Sequence, residues 1–101
     1  MDEKRQYFRL DNLGEVQAYL SDGHSLDVIN ISASGIKVIN NHAFPQQGNI
    51  EVIIRRIKYM LHYEQLKSDE EGLVLTFHMD SVTDNLFMAL RQLRDERRLK
   101  G

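Results

Sequence analysis

The sequence predicts a small antiparallel β-barrel followed by one C-terminal α-helix. Apolar and polar residues alternate along most of residues 15–79, which is typical of strands with one buried face. Over residues 81–100 the apolar positions change to a helical spacing. A chain of 101 residues, 42% of them hydrophobic and 28% charged, fits one globular domain with a single core.

Each expected strand ends at a turn signal. Val16, Ala18 and Leu20 alternate with polar neighbours, and Asp22 and Gly23 then supply a hairpin turn. Further strands are expected at residues 24–31, 36–39, 50–54, 57–66 and 73–78. About six strands at this spacing predict an antiparallel sheet that curls into a barrel and so leaves few exposed edges.

The last segment predicts the helix. Ser81 is the expected N-cap, with Asp84 as its capping-box partner. The apolar face comprises Val82, Leu86, Ala89, Leu90 and Leu93. The basic residues at 91, 94, 97, 98 and 100 are expected on the solvated outer face, near the negative end of the helix dipole. The expected organisation is a single domain over residues 1–101, with an N-terminal arm at 1–12, a barrel at 13–79 and a helix at 81–100.

Composition excludes several classes of function. The chain has no cysteine, which excludes disulfides and thiolate catalysis. No apolar run reaches the ~20 residues of a membrane span, and the charged N-terminus lacks the apolar stretch of a signal peptide. The four histidines, at 24, 42, 62 and 78, lack metal-ligand spacing, and no catalytic motif is present. We therefore expect a cytoplasmic protein that is not an enzyme, has no cofactor or metal and does not insert into membranes.

Two short motifs remain. Arg5 and Arg9 form an R-x-x-x-R motif, and Asn30, Ser32 and Gly35 form an N-x-S-x-x-G motif where the second strand ends. Each is weak alone, since Asn, Ser and Gly are ordinary turn residues. In this order and context they resemble the PilZ domain family, whose pattern is R-x-x-x-R and then [D/N]-x-S-x-x-G on a six-stranded barrel with a following helix. The resemblance extends from Arg5 to the C-terminal helix.

The resemblance implies a bacterial receptor for the second messenger cyclic di-GMP. It implies as ligand contacts the five motif residues, Arg5, Arg9, Asn30, Ser32 and Gly35, with Lys4 as a further candidate. Arginine suits this ligand because its guanidinium forks onto phosphate or onto guanine O6 and N7. Lysine lacks the planar face that stacks on guanine, and the family often has arginine at the position of Lys4. We therefore expect one nucleotide per chain.

The expected partners are cyclic di-GMP and an unidentified effector protein in the control of motility, adhesion or exopolysaccharide. The chain is expected to be a monomer or a weak homodimer. The main alternative is a PilZ-like protein-interaction module that does not bind nucleotide. A third possibility is a small barrel that binds single-stranded nucleic acid. The net charge of −2 and the aromatic content of 8% disfavour it, so no nucleic-acid partner is expected.

Overall fold

The computed structural model describes residues 8–40 and 45–100, which form one antiparallel sheet and a C-terminal helix. The elements are β1 (Leu10–Asp11), β2 (Val16–Leu20), β3 (Ser25–Leu26), β4 (Val28–Ser32), β5 (Gly35–Val38), β6 (Gln47–Ile54), β7 (Ile57–Ser68), β8 (Leu73–Phe77) and α1 (Ser81–Lys100). The strand order in the sheet is β1-β4-β5-β8-β7-β6-β2-β3. The expected fold class is confirmed, with eight strands in place of six.

The two additional strands arise where the chain changes its hydrogen-bonding partner. The segment expected to be one strand at 24–31 divides at Asp27, because β3 pairs with β2 whereas β4 pairs with β5. The periodicity of a strand indicates its buried face but not its neighbour, so this division was not visible in the sequence. Strand β1 likewise takes Leu10 and Asp11 from the expected N-terminal arm into the sheet.

The partner change also explains why the sheet curls. Strands β3 and β4 follow one another in the chain, yet they lie near opposite ends of the strand order. Asn12 bridges the two ends, since its Nδ2 donates to the carbonyl oxygens of Val16 on β2, at 3.1 Å, and Val28 on β4, at 3.2 Å. Its Oδ1 accepts from the backbone N–H groups of Gly14 and Val16. One side chain therefore satisfies four backbone groups at the seam.

The core lies between the concave face of the sheet and α1. The expected alternation holds in β2, where Val16, Ala18 and Leu20 are buried, and in β7. The helix contributes Leu86, Leu90 and Leu93, which are 0–3% exposed and belong to the same apolar cluster as the strands. The amphipathic helix expected at 81–100 is confirmed. No helix in the described part of the chain combines the length and apolar character that a membrane crossing requires.

The N-cap of α1 is Asp80, and the expected cap at Ser81 is wrong. Asp80 Oδ1 accepts from the backbone N–H groups of Val82, at 2.9 Å, and Thr83, at 3.2 Å. Thr83 Oγ1 accepts in return from the backbone N–H of Asp80 at 2.9 Å. This reciprocal pair is a capping box that begins one residue earlier than expected. Two adjacent residues were both good caps, and the buried position of Thr83 selects between them.

Candidate functional site

The pairing of β1 with β4 places Arg9, the second arginine of the first motif, beside the strand that carries the second motif. Leu10 lies opposite Ile31 and Asp11 opposite Asn30, so Arg9 enters the sheet next to the strand that carries the second motif. Its Nη1 donates to Oδ1 of Asn30 at 2.8 Å. Arg9 is exposed and Asn30 is half-buried, and both lie on the outer face of the sheet. Arg5 and Lys4 lie outside the described residues.

Ser32 shapes the turn between β4 and β5. Its side chain is buried, and its Oγ accepts from the backbone N–H of Ser34 at 3.2 Å. The hydroxyls of Ser32 and Ser34 are 3.0 Å apart. The Ser32 hydroxyl is therefore engaged within the turn, a typical serine–backbone arrangement that competes with regular strand bonding. The half-buried Ser34 stands nearer to the surface of this cluster than Ser32 does.

Gly35 permits a close approach between strands. A Cβ atom at this position would lie 2.5 Å from the carbonyl oxygen of Leu75 on β8. The resemblance to the PilZ family also implies Gly35 as a ligand contact, which stays a prediction. The described contacts give glycine a structural reason at this position, because the backbone of β8 already occupies the space of a side chain.

Lys37 is the residue that the sequence analysis missed. It lies directly across from Asn30 on the outer face, and its Nζ binds Asp69 Oδ2 at 3.1 Å and Glu71 Oε1 at 2.5 Å. The hydrogen bond that Lys37 donates to Glu71, and then the one that it donates to Asp69, raise the pKa of Lys37 above its ordinary value. In turn, the bond from Lys37 and the backbone N–H of Gly72 lower the pKa of Asp69.

The position of Lys37 opposite Asn30 could be predicted from the sequence. The two-residue turn between Ser32 and Gly35 fixes the register of β4 and β5, and this register puts Lys37 opposite Asn30. The acidic turn at 69–71, however, reaches Lys37 only because β8 pairs with β5. That pairing has no local signature in the sequence. Asp69 and Glu71 therefore form ion pairs with Lys37 in addition to facing solvent.

A polar row crosses the outer face beside the motifs. Its members face one another in register on five strands, in the order Ser32, Gly35, Thr76, Glu64 and Gln47. Beyond Thr76 the row opens into a cleft of about 360 Å³, which His62 and His78 also line. The two imidazole rings meet edge to face, with centroids 6.3 Å apart. The side chains along this row near Arg9 are short, so none of them projects far from the outer face of the sheet.

The C-terminal helix holds the segment next to Arg9. The guanidinium of Arg94 lies over the Phe8 ring, and Phe8 also packs against Phe87 with ring centroids 5.7 Å apart. Arg97 donates to the carbonyl oxygen of Asp11 at 2.8 Å and to Glu15 at 2.7 Å. The expectation that these basic residues are solvated is therefore wrong for Arg94 and Arg97. Both lie beside the apolar face of α1, four residues after Leu90 and Leu93 respectively. This helical spacing is the signal in the sequence that indicates their partial burial.

Comparison with known proteins agrees with this architecture. Residues 9–98 match the family described as PilZ-like, PilZ domain-like. No curated protein matches the chain. The solved structure of an uncharacterized Legionella protein is 34% identical, with a TM-score of 0.85 over 91% of this chain and 99% of that one.

Two further solved structures share the fold. The PilZ domain of CeSA from a cellulose-synthesizing bacterium is 11% identical, with a TM-score of 0.56 over 83% of this chain and 98% of that one. The inhibitor of motility from Bacillus subtilis (MotI/DgrA) is 22% identical, with a TM-score of 0.52 over 95% of this chain and 54% of that one. These two likenesses concern the fold alone. Because the family match spans most of the sequence, the chain belongs to the PilZ-like family.

Proposed function

We propose that this domain is a cytoplasmic, non-enzymatic receptor for cyclic di-GMP, whose bound form changes its contact with an effector protein. The nucleotide lies on the outer face of β1 and β4, beside Arg9. The observation that supports this proposal best is the 2.8 Å hydrogen bond from Arg9 to Asn30. It joins the arginine motif to the second motif, although 20 residues of sequence separate the two positions.

The geometry at Arg9 suits a phosphodiester or a guanine. A guanidinium carries five N–H donors in one plane, and Asn30 takes one of them. Among the described residues no other group takes a donor of Arg9, which leaves the rest for the two-pronged contact that arginine makes with a phosphate or with guanine O6 and N7. The bond to Asn30 sets the orientation of that plane before the ligand arrives, which lowers the entropic cost of binding. Arg5 and Lys4 supply further positive charge from the preceding segment.

The surface next to Arg9 has room for a planar base. Ser32, Gly35 and Thr76 form the nearest part of the polar row, and none of them projects a long side chain. A guanine can therefore lie against the strands while its edge meets Asn30. Cyclic di-GMP carries two phosphates and two guanines. The oriented cationic donors suit the phosphates, and the polar surface of short side chains suits a guanine.

Calorimetric titration tests the proposal. Wild-type protein is expected to bind cyclic di-GMP with one nucleotide per chain. Arg9→Ala weakens binding about ten- to a hundredfold, because a charge-assisted hydrogen bond contributes ~1.5–3 kcal/mol. Arg56→Gly is the matched control. Arg56 is an exposed arginine with a φ of 72°, so glycine suits its backbone and the variant removes one positive charge away from the motifs.

Two additional titrations separate the alternatives. GMP and a single-stranded oligonucleotide are each expected to bind far more weakly than cyclic di-GMP. Preferential binding of the oligonucleotide would instead favour the single-stranded nucleic-acid binder. Absence of heat with every nucleotide would reject the receptor and leave the interaction module. A stoichiometry near two would contradict the expectation drawn from Lys4.

A further inference from the structure

The pairing of β7 with β8 brings two of the four histidines together. Tyr63 lies opposite Phe77 in this pair, and at the next position the backbone N–H of His78 donates to the carbonyl oxygen of His62 at 2.8 Å. Both histidine side chains are exposed, and their rings meet edge to face with centroids 6.3 Å apart. The sequence alone does not show this contact, because the partner of a strand depends on segments far away in the chain.

Both ring nitrogens of His62 face amide oxygens of β6. Nδ1 lies 3.3 Å from Oδ1 of Asn49, and Nε2 lies 3.4 Å from Oε1 of Gln47. A neutral imidazole carries one N–H, so it donates to only one of these two oxygens. The other ring nitrogen presents a lone pair to an oxygen lone pair, and a cation between the two atoms stabilises such an arrangement.

A metal ion suits this arrangement better than a second proton on His62. A proton would place a charged imidazolium beside the ring of His78 and would leave the lone pair of that ring unused. A metal ion instead binds neutral imidazole, and it binds both rings at once. Imidazole suits zinc, copper and nickel, and zinc accepts oxygen ligands as well.

The distances around His62 fit zinc. Zinc binds nitrogen at ~2.0–2.1 Å and oxygen at ~2.0–2.2 Å. His62 Nε2 and Gln47 Oε1 are 3.4 Å apart, so an ion at these distances from both atoms subtends an angle of about 110°, close to tetrahedral. Asn49 then accepts the remaining Nδ1–H of His62, as an outer oxygen commonly does for a zinc-bound histidine.

We propose that His62, His78 and Gln47 bind one Zn²⁺ ion in the cleft of about 360 Å³ that these residues line. Among the described residues no three or more histidine, cysteine, aspartate or glutamate side chains are arranged to hold a metal. The protein therefore supplies two imidazoles and one amide, and water completes the shell. The ring of His78 moves about 1 Å closer, since two imidazoles on a tetrahedral zinc have centroids about 5 Å apart.

A site with three protein ligands and one water binds zinc reversibly. Structural zinc sites use four protein ligands, whereas this cleft keeps one position open to solvent. We expect a dissociation constant of about 1–50 μM. The ion joins side chains of β6, β7 and β8, which come together only in the folded state, so zinc should raise the melting temperature.

Calorimetric titration of the full chain with zinc chloride tests the site, without nucleotide and at about pH 7.5, where free imidazole is mostly neutral. Wild-type protein is expected to bind one zinc per chain. His62→Gln and His78→Gln should each raise the dissociation constant at least about tenfold and abolish the thermal shift. His24→Gln is the matched control, because His24 is an exposed histidine of the β2–β3 turn, outside the cleft. Far-UV circular dichroism verifies that the variants are folded.

A gain of affinity tests the amide ligand. Gln47→Glu replaces the amide with a carboxylate of the same length, which is a stronger zinc ligand, and should lower the dissociation constant about tenfold. Gln46→Glu is the matched control. It adds the same charge one residue earlier, where the side chain donates to the carbonyl oxygen of Gln65.

Four outcomes would overturn the proposal. They are a wild-type protein that binds no zinc up to about 500 μM, wild-type affinity in either cleft histidine variant, an equal loss in His24→Gln, and equal gains in the two glutamate variants. The second and third outcomes would identify the bound zinc as an adventitious ion only. Because no nucleotide is present, none of these outcomes depends on whether the domain binds cyclic di-GMP.

Discussion

The guanidinium carbon of Arg94 lies 4.3 Å from the centre of the Phe8 ring. Phe8 is the residue directly before Arg9, and its other neighbour on the helix is Phe87. The last turns of α1 and the candidate ligand site are therefore joined through one aromatic ring. Arg97 reinforces the same junction through Asp11 and Glu15. The helix thus contacts the segment around Arg9, where the arginine motif ends, and also covers the core.

Arg94→Ala is expected to lower the free energy of unfolding by about 0.5–1 kcal/mol, since a partly exposed cation–π contact has this magnitude. Urea unfolding followed by circular dichroism measures the change. Arg98→Ala is the control, because Arg98 is an exposed arginine one turn further along α1. A double-mutant cycle with Phe8→Leu should recover most of the Arg94 effect as coupling energy. Equal losses for Arg94→Ala and Arg98→Ala would contradict the role of the Phe8 ring.

Glu71→Gln is expected to strengthen cyclic di-GMP binding about two- to fivefold at low salt, in the range of exposed ion pairs. The substitution removes one of the two carboxylates on Lys37, which lies across from Asn30, and leaves its ammonium more available to a phosphate. The gain should shrink as salt is added. Glu70→Gln changes the same charge one residue away, where no contact with Lys37 is present. If both variants gain affinity equally, only the overall charge matters and Lys37 is not involved.

The Glu15–Arg97 pair predicts a loss of stability in acid. The hydrogen bond from Arg97 lowers the pKa of Glu15 below its ordinary value of 4.5. A carboxyl group with a lowered pKa in the folded state stabilises the fold above its unfolded pKa, and this contribution disappears as the pH falls through the folded pKa. The free energy of unfolding should therefore decline below about pH 4.5. Glu15→Gln should be less stable than wild type at pH 7 and should show a shallower decline between pH 5 and about pH 3.

Chemical unfolding at a series of pH values measures this effect. Glu70→Gln is a suitable control, since Glu70 is an exposed carboxylate of the β7–β8 turn, away from Arg97. An acid decline in Glu15→Gln as steep as that of wild type would assign the loss to other carboxylates, among which Asp69 also has a lowered pKa.

Sequence periodicity predicted the faces of the elements well, because burial repeats every second residue in a strand and at three to four in a helix. It therefore identified Ala18 and Leu20 on β2 and Leu90 on α1 as core residues. It did not predict the partner change at Asp27, since hydrogen-bond partners depend on segments far away in the chain. The choice of Asp80 over Ser81 as N-cap was equally hidden, because both residue types cap helices.

The candidate site likewise has one part that the sequence predicted and another part that it did not predict. The proximity of Arg9 and Asn30 was implied by the motifs, and the described contact agrees with it. The ion pairs of Lys37 and the stacking of Arg94 on Phe8 join residues 32 to 86 positions apart. Such contacts follow from topology, which local patterns do not encode. The sequence therefore indicated the motif residues. It did not indicate the ion pairs of Lys37 beside them or the contact of Arg94 with Phe8.

Gly35→Ala separates a structural role of this glycine from a role in ligand approach. The added Cβ would lie 2.5 Å from the carbonyl oxygen of Leu75, so β5 and β8 must move apart. The free energy of unfolding is expected to fall by roughly 1–3 kcal/mol in the absence of nucleotide, as for other overpacked sites. Gly48→Ala is the control, because the atoms nearest to its Cβ would belong to the Tyr63 side chain, at 3.4 Å or more, which is ordinary van der Waals distance. A Gly35→Ala protein as stable as wild type but unable to bind cyclic di-GMP would instead assign the glycine to the ligand. Loss of stability without nucleotide, with an affinity per folded molecule close to that of wild type, is the result that the contact with Leu75 predicts.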